Sequence, residues 1–299
     1  MRYDPVKSRI GRVVSRHIWL RKLFYALLDI LLLRTWHVKK ALRRFARSRK
    51  EAGSHKGQDI ASSRKKEGSH EGQHIDRSSS EQVSILDAGS GFGQYTWRMW
   101  KINNKWNILG TDIKQEQVDD CKHFISKTKA ASRVGFSYAD LTGFRQEEEY
   151  DLVLSVDVME HIEDDRQVFR NFYSSLKPGG WLIISTPSDK GGSDVHDQDD
   201  HSFIDEHVRN GYSIKEIEEK LTEAGFSSIK TEYTYGKPGK ISWRLSMKYP
   251  VLMLNASMAF ALILPLYYIL VMPFALILNY MDIRFKHSEG TGLLVTAVK

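Results

Sequence analysis

Residue types that can do chemistry gather first in Ser84-Ile85-Leu86-Asp87-Ala88-Gly89-Ser90-Gly91-Phe92-Gly93. An apolar run ends in a carboxylate and enters a turn with three glycines at alternate positions. Glycines permit left-handed backbone and let the chain approach a ligand closely. Such a turn, between a strand and a helix, is where nucleotide-like ligands dock in α/β proteins. A dinucleotide fingerprint requires G-x-G-x-x-G, hence glycine at 94, and the chain has Gln94 there. The spacing is G-x-G-x-G, with Asp87 two residues before the first glycine. A ligand without phosphate needs no anion nest, whereas a sulfonium bearing an amino-acid ammonium favours a nearby carboxylate.

The elements that must position this turn are readable from hydrophobic pattern. Short apolar runs at 83–86, 106–110, 135–138, 151–155 and 181–185 alternate with helix-compatible stretches. This alternation predicts an α/β fold, a mainly parallel sheet with helices on both faces. A helix is expected over 214–224 with Gly225 as its C-cap, then a strand over 226–235 and a last strand over 292–298.

With these elements in order, residues 83–299 resemble the class I S-adenosylmethionine-dependent methyltransferases, in the ubiquinone-biosynthesis-like (methyltransferase type 11) subgroup. Asp87, Gly89, Gly91 and Gly93 match the family's first motif, which cradles the methionine part of S-adenosyl-L-methionine. Asp112 ends the second strand, where the family's acidic residue takes both ribose hydroxyls; a carboxylate can accept two hydrogen bonds from a vicinal diol. Asp140, followed by Leu141, matches the carboxylate beside the adenine amino group. Ser155-Val156-Asp157-Val158-Met159-Glu160-His161-Ile162 resembles the fourth motif, and Leu176-Lys177-Pro178-Gly179-Gly180-Trp181-Leu182 the turn before the fifth strand. The resemblance implies a Rossmann-like seven-stranded sheet whose antiparallel last strand lies between strands five and six. Taken singly, Asp112 and Asp140 can also be read as helix caps.

Methyl transfer from a sulfonium is an in-line displacement, so the protein positions donor and nucleophile and removes a proton where the nucleophile carries one. Candidate bases follow strands four and five: Asp157, counted also among the cofactor contacts, His161, His196, His201 and His207. His161, His196 and His201 are taken as catalytic candidates. The His- and Asp-rich stretch 194–201 reads equally as a solvated acidic loop, and its spacing argues for no metal.

Outside the sheet, charge and hydropathy divide the chain. The net charge is +7, yet residues 1–50 hold fifteen Lys and Arg against Asp4 and Asp29, a balance of +13. The other 249 residues therefore carry −6. Residues 1–47 read as a basic amphipathic helical arm on a membrane surface, or as an ordinary docking helix with a solvated basic face. Residues 48–82 read as a flexible polar linker, in which Gly53-Ser54-His55-Lys56-Gly57-Gln58-Asp59-Ile60 recurs as Gly68-Ser69-His70-Glu71-Gly72-Gln73-His74-Ile75. The lone cysteine, Cys121, excludes an internal disulfide and fits a reducing compartment.

Residues 249–281 contain no charge. That exceeds the ~18 residues that mark a membrane segment, but falls short of the ~40 that two spans require. Both ends belong to one domain, so a re-entrant or shallow hairpin is expected, bent near Pro265 or Pro273. Flanking Arg244, Lys248, Arg284 and Lys286 suit a cytoplasmic face. The function expected is methyl transfer to a lipid-borne acceptor, such as a quinone precursor or polyprenyl-linked glycan, with membrane lipids as partners. The alternatives are a membrane-anchored methyltransferase of a soluble metabolite or glycan, and a non-catalytic cofactor-binding scaffold. Nucleic acid is not expected as a partner, since no Asn/Asp-Pro-Pro-Tyr type signature follows strand four.

Overall fold

A computed structural model describes residues 17–64, 82–191 and 208–299, with side chains described in 17–51, 82–191 and 208–299. The strands are β1 (Ser84–Ala88), β2 (Asn107–Asp112), β3 (Val134–Tyr138), β4 (Tyr150–Val156), β5 (Leu176–Pro187), β6 (Ser227–Thr234) and β7 (Gly292–Val298). They form one sheet in the order β3-β2-β1-β4-β5-β7-β6. β7 pairs antiparallel with both β5 and β6, and the other pairings are parallel. The expected sheet and the placement of its last strand are thus found. All seven residues of β4 are buried, which is why the central strands read as continuous apolar runs rather than as alternating ones.

Local sequence sets the helix boundaries. α3 (Gln94–Ile102) starts at Gly93, and α4 (Gln115–Ser126) follows β2. α5 (Asp165–Ser175) is capped by Asp164, whose side chain accepts from Gln167 N at 3.1 Å. α6 (Ile214–Glu223) is capped by Ser213, which accepts from Glu216 N at 3.1 Å. α3 and α4 cover one face of the sheet, where Trp97, Met99, Val118 and Phe124 are buried. α5 and α6 cover the other, with Val168, Phe169, Phe172, Ile217 and Leu221.

The N-terminal arm is part of this body. It forms α1 (Ile18–Leu31) and α2 (Leu33–Arg64). Val38, Ala41, Leu42 and Phe45, spaced as one face of a helix, are completely buried in the core of the first face. Phe45 meets Trp106 and Trp181 edge-on at centroid distances of 5.7 and 5.9 Å. Arg49 pairs with the buried carboxylate of Asp151 at 2.9 Å, and Asp151 also accepts from Ser84 N and Lys177 Nζ, each at 2.9 Å. The apolar face expected on a membrane surface is therefore spent largely on the sheet, because burial against Trp106 and Trp181 removes it from water equally well. An outward stripe remains on α1: Trp19, Leu23, Leu27 and Ile30 are exposed. α2 also continues to Arg64, into the segment read as linker; residues 65–81, with the second octamer, lie outside the described residues.

The uncharged segment is a helical hairpin. α7 (Lys237–Trp243), a π-helical turn at Arg244–Lys248 and α8 (Tyr249–Ala256) run on from one another. A 3-10 turn at Met258–Leu262 leads into α9 (Leu264–Arg284). Ser242 Oγ donates to Ala275 O at 3.0 Å, Tyr267 Oη to Leu245 O at 2.7 Å and Tyr268 Oη to Ser246 O at 3.0 Å, so the two arms pack antiparallel. The break falls at Ser257, Pro265 opens α9, and Pro273 sits inside that helix without ending it. At the base, Asp282 is fully buried and accepts from Gly239 N at 3.0 Å, Tyr235 N at 3.2 Å and His37 Nε2 at 2.8 Å. The base is thereby docked on α2 and on the end of β6.

Phe45→Ala should destabilise the protein by about 3–5 kcal/mol, the usual cost of deleting a buried aromatic. Leu23→Gln and Leu27→Gln should stay within about 0.5 kcal/mol, as surface changes do. Denaturant unfolding checks the pair, and equal costs would refute the docked arm.

Candidate active site

β1 carries the chain from the sheet interior to its carboxyl edge, where the three-glycine turn is pinned to β2. Gly89 N and Ser90 N both donate to Thr111 O, at 2.9 and 2.7 Å. Gly89 has φ +79°, and a Cβ there would lie 2.3 Å from Val158 Cγ2 in the segment after β4. Gly91 has φ +51° with open space around it, the nearest atom to a Cβ being Gln117 Oε1 at 3.8 Å. The first glycine is thus required by packing. The second leaves room for a ligand against bare backbone.

Two carboxylates hold this turn from below and beside. Asp87 is buried, and Thr96 Oγ1 donates to its Oδ2. Burial raises its pKa to about 7 against the pull of the Thr96 hydrogen bonds, and the neighbouring Asp112 adds to the rise. A cationic group placed here would restore the ionised form. Asp112 accepts from Gly91 N at 2.8 Å through Oδ2 and from Lys114 N at 2.9 Å through Oδ1. Each oxygen keeps a further lone pair, so the carboxylate is oriented and still able to take a diol.

The buried hydroxyls of Ser90, Thr111 and Ser155 have no hydrogen-bond partner among the described residues. They stand at or just beyond the carboxyl ends of β1, β2 and β4: Thr111 and Ser155 both pair with Ala88, and Ser90 follows two residues after it. Unpaired buried polar atoms are costly and call for a partner. A polar nucleoside-type ligand seated on the glycine turn supplies one, so these residues fit the cofactor expected from the sequence.

The other expected residues distribute less evenly. Asp140, just beyond β3, is exposed, and its Oδ1 accepts from Thr142 N at 2.9 Å and Thr142 Oγ1 at 2.7 Å within a turn over 141–143; it caps no helix. The Leu141 side chain is buried in the core of the second face. Asp157, the residue after β4, has φ +52° and forms an ion pair with Arg34 of α2. Glu160 is buried, with Thr186 Oγ1 donating to it at 3.1 Å, and burial raises its pKa. His161 follows it, exposed, at the end of a 3-10 turn over Met159–His161. His196, His201 and His207 lie outside the described residues.

The structure adds groups that sequence reasoning missed, most of them from the arm. Arg21, buried on α1, donates to Phe92 O in the glycine turn at 2.9 Å and pairs with Asp120 at 2.6 Å. Tyr25 Oη donates to the same carbonyl. Asp29 pairs with Arg98 of α3 and accepts from Gln94 at 3.1 Å. Arg34 N donates to Tyr235 Oη at 3.0 Å, beyond β6. Nothing in local spacing marks Arg21 or Arg34, which are two of fifteen cations in the first fifty residues. Cys121 is buried beside this cluster, and burial raises its thiol to about 12, so it stays protonated and is no nucleophile.

Comparison with known proteins agrees with the geometry. A family model described as a methyltransferase domain matches residues 79–234, more than half of the chain. The ubiquinone biosynthesis O-methyltransferase of Hydrogenovibrio crunogenus is 28% identical over 108 residues, 36% of this chain and 44% of that protein. The phosphoethanolamine N-methyltransferase 1 of Triticum aestivum is 28% identical over 152 residues, 50% of this chain and 29% of that one. A malonyl-[acyl-carrier protein] O-methyltransferase of Ilyobacter polytropus is 30% identical over 114 residues, 38% and 41% of the two chains. The chain thus spans less than half the length of these curated relatives. Among solved structures, Haemonchus contortus phosphoethanolamine N-methyltransferase 2 in complex with S-adenosyl-L-methionine superposes with a TM-score of 0.52 at 22% identity, covering 73% of this chain and 49% of that one; this likeness is one of fold. On the family match, the sheet order and the motif residues together, the chain belongs to the methyltransferase domain family, the class I enzymes whose methyl donor is S-adenosylmethionine.

Proposed function

We propose that the protein is an S-adenosylmethionine-dependent methyltransferase working at the cytoplasmic membrane face, on a lipid-borne acceptor such as a quinone precursor or polyprenyl-linked glycan. The observation that carries the reading is the hairpin between β6 and β7. It leaves the sheet at the end where Tyr235, Arg34 and Asp157 converge, and it exposes Leu262, Ile263, Leu266, Ile269, Leu270 and Phe274 to solvent. Among the described residues α9 is the one helix long and apolar enough to cross a membrane, and little of it is buried. A soluble protein gains nothing from such a face; a bilayer would take it up.

Depth follows from charge. Lys248 immediately precedes α8, whose eight residues extend ~12 Å at 1.5 Å per residue. That is close to half of the ~30 Å hydrocarbon core. A hairpin inserted into one leaflet keeps Arg244 and Lys248 at headgroup level and Arg284 at the docked base, which suits the cytoplasmic side. The exposed stripe of α1 and the basic residues before it give the arm a second, weaker affinity for an anionic surface.

The bound cofactor supplies an electrophilic methyl on a cationic sulfur. In this reading Asp87, Gly89, Gly91 and Gly93 hold the amino-acid end, and Asp112 the ribose. Asp140 and Leu141 border the base. Asp157 borders the transfer end. His161 is the candidate base on the described surface, with His196 and His201 as further candidates, for an acceptor that must lose a proton.

Three outcomes are expected. Asp112→Ala should weaken S-adenosylhomocysteine binding at least tenfold by calorimetry; unchanged affinity removes Asp112 from the site. Because Asp87 titrates near 7 and the ligand's ammonium favours its ionised form, affinity should be full at pH 8 and fall several-fold by pH 6. An affinity flat across that window would refute the Asp87 contact. Leu262→Asp with Leu266→Asp should release the protein from anionic vesicles in co-sedimentation, each charge costing about 2–3 kcal/mol in the membrane. Unaltered sedimentation would count against insertion of the tip.

A further inference from the structure

Arg34 has no role in the reading above, and its placement calls for one. It comes from a helix remote in sequence, yet its guanidinium is delivered to the carboxyl edge of the sheet, onto Asp157 at the end of β4. About a third of the side chain is exposed, while its Nε is buried with no hydrogen-bond partner among the described residues. A guanidinium has five N–H donors in a planar fork that suits carboxylate and phosphate oxygens. Asp157 at one end, with the Tyr95 phenol also in reach of the side chain, leaves part of that fork unused.

The surroundings favour an anion. Tyr235 Oη accepts the Arg34 backbone N–H. Tyr95 Oη lies 3.3 Å from Thr35 Oγ1, the next residue along α2. Two phenols and the Arg34 guanidinium therefore meet at one place, with the Tyr95 oxygen in hydrogen-bond reach of the Arg34 side chain. The position also lies beside the transfer end of the cofactor, a sulfonium cation. Asp157 itself has φ +52°, with its backbone N–H donating to Ser185 O at 2.8 Å.

We propose that Arg34 is the acceptor-binding residue of this site: it holds an acidic oxygen group, carboxylate or phosphate, of the methyl acceptor, in exchange for part of its pairing with Asp157. This rests on the methyltransferase reading of the glycine turn and names the chemistry of the acceptor. The arm is then one wall of the acceptor pocket. The hairpin base is coupled to it through Tyr235, whose backbone N–H donates to Asp282 at 3.2 Å.

The test uses the full chain in detergent, loaded with S-adenosylhomocysteine, and three probes that share one tail: octyl phosphate, octanoate and octanol. Calorimetry should show at least one of the two anions binding tenfold or more tightly than octanol. Arg34→Gln should bring that anion to the octanol level while S-adenosylhomocysteine affinity stays within threefold. Arg34→Lys should retain part of the preference. Asp157→Asn, which frees the guanidinium without removing it, should tighten anion binding several-fold and guards against a mere folding defect in the Arg34 variants. Anions binding no better than octanol, or an Arg34→Gln protein that still prefers them, overturns the assignment and leaves the cofactor site standing. Failure of the wild-type protein to bind S-adenosylhomocysteine overturns the methyltransferase reading, and the assignment with it. Which anion is preferred separates a phosphate-bearing acceptor from a carboxylate-bearing one.

Discussion

The reversal of strand order at β1 is the constraint on which the molecule depends. The chain lays β2 and β3 to one side of β1 and then crosses to place β4 on the other. Connections leaving β1 and β4 must therefore depart toward opposite faces, and a crevice opens at their carboxyl ends. Asp87 and the glycine turn at β1, Asp112 at β2 and Asp157 at β4 share that crevice because parallel pairing aligns their strand ends. The close fit of Gly89 against Val158 is the same constraint at atomic scale: the two departing segments touch.

Two additions are built onto that crevice, each by satisfying buried polar groups. The arm brings Arg21 and Tyr25 to the Phe92 carbonyl and Arg34 to Asp157. The hairpin brings Asp282, a buried carboxylate that would be unaffordable alone but accepts from His37, Tyr235 and Gly239. His287 Nε2 lies 3.2 Å from the same carboxylate. Arm, hairpin and the end of β6 are thus joined at a single charge. A Cβ on Gly239 would lie 2.5 Å from Asp282 Oδ2, so the close approach of α7 to α9 belongs to that joint.

The sheet was legible in the sequence because its signals are local. β4 is apolar throughout since both its faces are covered, and the spacing of Asp87 and the glycines is a property of ten consecutive residues. The glycine turn was legible for the same reason. What could not be read was the partner of an amphipathic face. Val38, Leu42 and Phe45 have the spacing of a helix that seeks an apolar surface, and the spacing is the same whether that surface is lipid or Trp106 and Trp181. Likewise Arg34 is indistinguishable from Arg43 or Arg47 until the fold sets it against Asp157. In the uncharged segment the pattern marked the apolar run, while the bend falls at Ser257 rather than at the expected Pro265 or Pro273. Its division into a docked base and a free tip rests on Asp282 and Gly239, which lie on or beyond the segment's margins.

In the proposed reaction a methyl group passes from this crevice to a lipid-borne acceptor. Comparative mass spectrometry of lipid extracts, from cells with and without the gene, tests it most directly. A lipid species should lose one methylene unit of mass when the gene is removed and regain it on complementation with the intact chain. No recovery is expected with the Asp112→Ala chain. Lipid profiles identical in all of these cells, with a methylated water-soluble compound changing instead, would contradict the proposed reaction.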